Sequence, residues 1–246
     1  MQLHSKNIPV LAVIGNLGTR EFGSIDPINS IIQLQQQFAD SGFNFYVHVD
    51  ASWGAYLTAI FKDKNNKPLP LLTVKSDYQY FPSKNVYDAF LAINHADSVT
   101  VAPHTQGYLP QGIGGFIARN RDIVKLLNYS EKNLINNNDQ INLRQLSRYI
   151  LDGSKPGTNA AATYLTHKVL PLNANYFGQV LKQTIVATEY FYKKIIFLKD
   201  KLKAIVNINF PFLPDTNIAM LTINPVGNHS LSVMNSFLEK IKRVLT

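Results

Sequence analysis

The sequence predicts an α/β domain whose sheet is mostly parallel, with helices packed on its faces. Three observations carry that expectation. An apolar run, a segment of helical period and a second apolar run follow one another in the first fifty residues. The 246-residue chain is 46% hydrophobic and only 16% charged, enough apolar surface to offset the entropy of ordering a sizeable core. Glycines punctuate the ends of the runs, as loops between packed elements require.

Val10 to Ile14 reads as a buried strand, and Gly15, Gly18 and Gly23 as the loop after it. Asp26 suits a helix N-cap with Pro27 at the first helical position. Ile28, Ile31, Ile32, Leu34 and Phe38 recur at helical spacing until Gly42 ends them. Phe45 to Val49 supplies the second strand, and strand–helix–strand order implies a crossover onto a parallel neighbour. Asp50 then lies just past a strand end. In open α/β sheets that edge is where ligands bind, because loops converge there over a crevice while helices cover the strand faces.

Lys62 to Pro70 reads as a polar loop, and Pro82 with Ser83 opens a helix running through Ile93. Ser98 to Val101 and Ile113 to Ala118 are short β-branched runs flanking a turn-rich segment from Pro103 to Pro110. From Ile123 the character turns helical, with an Asn-rich loop at Asn133 to Asn138. Ala160 to Val169 and Gly178 to Leu202 carry helical spacing on either side of Pro171. Val206 to Phe212 and Ile218 to Ile223 return to strand character, and Ser230 to Val244 closes the chain as an amphipathic helix. There is no internal repeat.

The formal charge of +8 would suit a nucleic-acid partner if the cations clustered on one face. They are spread instead: Lys62, Lys64 and Lys67 fall in a loop, and Lys193, Lys194, Lys199, Lys201 and Lys203 decorate a helix, a pattern of solvated surface. The chain has no cysteine, so disulfides and thiolate metal sites are excluded, and no metal site is expected. Ile8 to Ile14 is too short for a membrane span, which takes about 20 residues. A soluble, cytoplasmic protein is expected.

Four segments carry the chemistry. They are Gly18-Thr19-Arg20-Glu21-Phe22-Gly23 with Asp26-Pro27; His48-Val49-Asp50-Ala51-Ser52-Trp53-Gly54; Ala96-Asp97-Ser98-Val99-Thr100 running into Pro103-His104; and Gly153-Ser154-Lys155-Pro156-Gly157. In wording and order they resemble the pyridoxal-phosphate-dependent decarboxylases of glutamate, tyrosine and other aromatic amino acids. The resemblance extends over nearly the whole chain, to Pro214-Asp215-Thr216-Asn217. It implies part of a type I, aspartate-aminotransferase-like large domain over residues 1–203 and the start of a small C-terminal α+β domain over 204–246. The family's N-terminal segment is expected to be missing, leaving a sheet with a bare edge and apolar surface.

The resemblance implies pyridoxal phosphate as cofactor, with Asp50, Ser52, His104 and Thr19 at its site. Asp50 matches the family's aspartate that pairs with the pyridine nitrogen: a carboxylate there keeps the nitrogen protonated, so the ring can take up electrons. His104 matches the histidine beside the cofactor-binding lysine, and Trp53 and Tyr108 read as aromatic packing of the pocket wall. The departures are specific. Thr105 stands at the lysine position, and a hydroxyl cannot condense with an aldehyde as an amine does. Arg20 replaces a threonine, Ser52 an alanine and Ala102 an aspartate.

No catalytic residue is therefore assigned, and the expected function is a family member inactive on its own. The alternative is a non-catalytic subunit that forms a homo- or hetero-dimer with a decarboxylase-like chain or a separately encoded N-terminal half. A product without selected activity and a basic nucleic-acid binder rank below these.

Overall fold

The computed structural model describes residues 8–123 and 156–245. Strand β1 (Ala12–Asn16) pairs in parallel with β2 (Tyr46–Asp50), and β2 with β3 (Ser98–Val101); β4 (Gly115–Ala118) closes the sheet antiparallel to β3. The mixed but mostly parallel α/β sheet agrees with the fold class expected from the sequence. The first strand starts two residues later than its apolar run and takes in Gly15 and Asn16.

Helix α1 (Ile28–Asp40) buries Ile28 and Ile32 against the sheet. Its start corrects the capping expectation: Pro27 holds the N-cap position, with no side-chain cap. The Asp26 carboxylate instead accepts from the Asn16 backbone N–H at 2.8 Å and from its amide at 3.3 Å, tying the loop back to the end of β1. Val47 and Val49 are fully buried on the α1 side, while His48 on the other face bridges Ser98 Oγ (2.7 Å) and Thr100 Oγ1 (2.9 Å). Among the described residues β1 is an edge strand; Leu11, just before it, and Ile14 are 83% and 64% exposed.

A 3-10 helix (Ala55–Phe61) and a short α2 (Leu71–Lys75) lie where the sequence suggested only chain and loop. The 3-10 helix is nearly all core, with Tyr56, Leu57, Ala59, Ile60 and Phe61 buried. Helix α3 (Lys84–Ala92) starts as expected at Ser83, whose Oγ accepts from the Val86 N–H at 3.2 Å, and ends in a further 3-10 turn, Ile93–His95. Helix α4 (Gly157–Val169) begins three residues before its predicted start, and α5 (Phe177–Leu202) packs Leu181 and Ile185 into the core.

A second, two-stranded antiparallel sheet joins β5 (Val206–Asn209) to β6 (Thr222–Pro225), followed by α6 (Leu231–Leu245). The strand expected at Ile218 to Ile223 forms four residues later. The Asn-rich stretch and Gly153 to Lys155 of the fourth motif lie outside the described residues. No described helix is long and apolar enough to cross a membrane.

Candidate active site

Three parallel strands end side by side at Asn16, Asp50 and Val101, and the loops that follow enclose a cleft of about 790 Å³. It is lined by Thr19, Arg20, Asp50, Ser52, Trp53, His104 and Thr105 among others, so the four residues expected at the cofactor, Thr19, Asp50, Ser52 and His104, fall in one place. Parallel pairing is the cause: β2 and β3 run in the same direction, so the Asp50 and His104 segments emerge at the same edge.

Asp50 is the last residue of β2 rather than the first of the loop. Its Oδ1 accepts from the Ser52 N–H at 3.0 Å and from Ser52 Oγ at 2.5 Å, leaving Oδ2 without a hydrogen bond from the described residues. Thr105 Oγ1 shares its proton between the carbonyls of Ser52 and Ala102, each at 2.7 Å. Three positions that depart from the family pattern thus bond into one small network, with Thr105 held at both ends and Ser52 Oγ spent on Asp50. His104 is exposed and donates from Nδ1 to the Ile113 carbonyl at 2.8 Å, which fixes its ring orientation.

The Thr19 hydroxyl meets Ser24 Oγ at 3.0 Å, and the Thr19 backbone bonds both Ser24 and Gly23, so this loop closes on itself. Gly18 turns it at φ 94°, where an added Cβ would lie 3.2 Å from the Trp53 ring. Arg20 and Glu21 reach the cleft as exposed charges of opposite sign. Tyr108 corrects one expectation: it is 61% exposed and lines neither this cleft nor its wall. Among the described residues no cluster of His, Asp and Glu could hold a metal ion.

Sequence reasoning missed the residues that brace the cleft from behind. Asn217 exchanges hydrogen bonds with the buried Gln106 (2.9 and 3.2 Å) and also bonds Trp53 Nε1 (3.3 Å) and Thr184 Oγ1 (3.0 Å). This links the segment before β6 to the residue next to Thr105. Beside it, burial raises the pKa of Asp215, a hydrogen bond with the Ile25 backbone opposing. Pro214-Asp215-Thr216-Asn217 was legible as part of the resemblance, but no spacing rule reports a contact across more than a hundred residues.

A fold with a parallel sheet, a strand-end carboxylate and a following Pro-His loop defines the large domain of the type I pyridoxal-phosphate enzymes. Comparison with known proteins narrows the class. The chain is 35% identical over 246 aligned residues to an L-tyrosine decarboxylase of Enterococcus faecalis, and 31% identical to one of Enterococcus faecium, matching 95% and 98% of its own length. It spans only 39% and 41% of those relatives. Among solved structures, Catharanthus roseus tryptophan decarboxylase and mouse CSAD each superpose with a TM-score of 0.64, at 11% and 16% identity; 95% and 99% of this chain is covered, and 42% and 44% of theirs. No family model matches. Over nearly its whole length the chain is thus similar to amino-acid decarboxylases and shares their fold, while spanning about two fifths of them.

The cleft suits that cofactor in one respect and not in another. A carboxylate whose Oδ2 takes no hydrogen bond from the described residues stands at the strand end, but no lysine is among the described residues lining the cleft, and the Thr105 hydroxyl is committed to backbone carbonyls. Among the described residues the donor set fits a ligand held by contacts and offers no amine for covalent attachment.

Proposed function

We propose that this chain is a decarboxylase-family protein that does not decarboxylate amino acids by itself and acts as the non-catalytic partner of a decarboxylase-like chain. The observation that carries this reading is Thr105, a hydroxyl bonded to the Ser52 and Ala102 carbonyls where the family places its amine. When bound, pyridoxal phosphate supplies an electron sink for the carbanion left by departing carbon dioxide. Here Asp50 Oδ2 would face the pyridine nitrogen, Thr19 and His104 would border the ring, and Ser52 would keep the Asp50 carboxylate from rotating. None of these side chains anchors the aldehyde.

The similarity to L-tyrosine decarboxylases points to L-tyrosine as the amino acid a completed site would take. Residues 204–246, with their own small sheet, read as the start of a second domain, and the bare β1 edge as the side on which a decarboxylase-like chain would pair, in a homo- or hetero-dimer. The family's solubility points to the cytoplasm.

The test is release of carbon dioxide from L-tyrosine by the purified chain with pyridoxal phosphate, alongside a pull-down against candidate decarboxylase chains. No turnover alone, with recovery of such a chain, is the expected outcome. Turnover abolished by Asp50→Asn would overturn the reading.

A further inference from the structure

A second cavity, of about 620 Å³, lies behind the loop that carries Thr105 and shares no lining residue with the cleft. Its floor is the sheet face carrying Val99, Val101 and Ile117; Tyr56 of the 3-10 helix, His167 of α4 and Leu172 form its walls. Volume and apolar lining are those of small-molecule sites.

Of the polar side chains around it Thr58, Ser98 and Thr163 are committed to hydrogen bonds, and Lys62 adds a cation at the wall. Arg119 gives its guanidinium to the carbonyls of Asn94 and Ala96, and Asp97 Oδ2 accepts from Gln35 and from the Val47 N–H at 2.7 Å each. The wall also carries a hydrogen-bonded pair: Tyr56 Oη lies 2.9 Å from His167 Nε2, with the two rings 5.4 Å apart and Phe177 packed against both. Burial pushes Tyr56 up to about 12 and lowers His167, a contact with the Leu170 backbone opposing the latter. Both members of the pair are therefore uncharged at neutral pH.

We propose that this cavity is a binding site for a small neutral aromatic molecule of the phenol class, its ring between the sheet and α4 and its hydroxyl joined to the Tyr56–His167 pair. A neutral phenol loses little hydration and can both donate to and accept from the pair.

The site backs onto the cleft without sharing a residue with it. Along the end of β3 alternate residues turn to opposite sides: Val101 and Pro103 line the cavity, Ala102 and His104 the cleft. The Tyr56 ring also packs on the Thr105 loop so tightly that a Cβ at Gly107 would lie 2.6 Å from it.

The experiment is a titration of the full chain with 4-methylphenol, followed by ligand-observed NMR and by calorimetry. Saturable binding is expected, weakened about tenfold in Tyr56→Phe by the loss of one hydrogen bond. Binding should be abolished in Thr163→Phe, which fills the cavity from α4, and left unchanged by Asp50→Asn and by pyridoxal phosphate. Absence of saturable binding to the wild-type chain, undiminished binding in Thr163→Phe, or displacement by pyridoxal phosphate would each overturn the proposal. None of these readouts depends on whether the chain decarboxylates anything.

Discussion

Phe61 and Thr105 belong to neighbouring parts of the same domain and are held in opposite ways. Phe61 is 1% exposed and its ring packs on Phe81, Tyr87 and Phe90, with the Phe90 ring centre 4.6 Å away. Thr105 is half-buried at the cleft wall and is fixed by two backbone carbonyls rather than by apolar neighbours. The core behind the cleft answers to volume and shape, which tolerate little change. The cleft answers to chemistry, and once an amine is no longer needed a smaller polar side chain can sit there with its hydrogen bond satisfied. On the function proposed above, a decarboxylase-like scaffold has outlasted its cofactor linkage.

If that contrast is right, the core should give the largest effect. Phe61→Ala should cost about 3–5 kcal/mol, read as a lower urea midpoint, and a cost below 1 kcal/mol would mean the aromatic cluster is not the centre of the core. Next comes Glu189 of α5, whose carboxylate accepts from the N–H groups of Gln79, Tyr80 and Phe81 at 2.7–2.9 Å. Glu189→Ala strands three donors and should destabilise by about 1–3 kcal/mol, with amide exchange accelerating at those three positions first.

Effects at the cleft should be smaller in stability. Asn217→Ala removes the brace on Gln106 and Trp53 and should cost about 1–2 kcal/mol while leaving the urea m-value unchanged. Asp215 offers the finest test. Its folded pKa is raised by burial, so ionisation favours the unfolded chain once pH exceeds the ordinary carboxylate range. Asp215→Asn should therefore be more stable than wild type at neutral pH, and the gain should vanish in acid, where the wild-type carboxyl is already protonated in both states. A gain that persists in acid would assign it to something other than charge burial.

The parts legible in the sequence were those with a local signature. The β1–α1–β2 unit, β3 and the Ser83-capped α3 all follow from periodicity and capping, and the strand-end position of Asp50 follows from the order of those elements. The 3-10 helix was not legible: Ala55 to Phe61 is buried on nearly every side, so it has no polar face to mark a period. Asp26 misled because a good capping residue can spend its carboxylate elsewhere, here on Asn16. At the site, Thr19, Asp50, Ser52, His104 and Thr105 were found by resemblance. The bond from Thr105 to the Ser52 carbonyl was not, since it depends on how two strand ends meet across some fifty residues.

The most direct measurement is borohydride trapping: the chain is equilibrated with pyridoxal phosphate, reduced, and mapped by peptide mass, with Thr105→Lys treated in parallel. The account predicts no stoichiometric lysine adduct in the wild-type chain and one at position 105 in the variant. A single saturable adduct on a native lysine would show that another amine reaches the cleft, and would contradict the claim that covalent attachment of the cofactor has been lost.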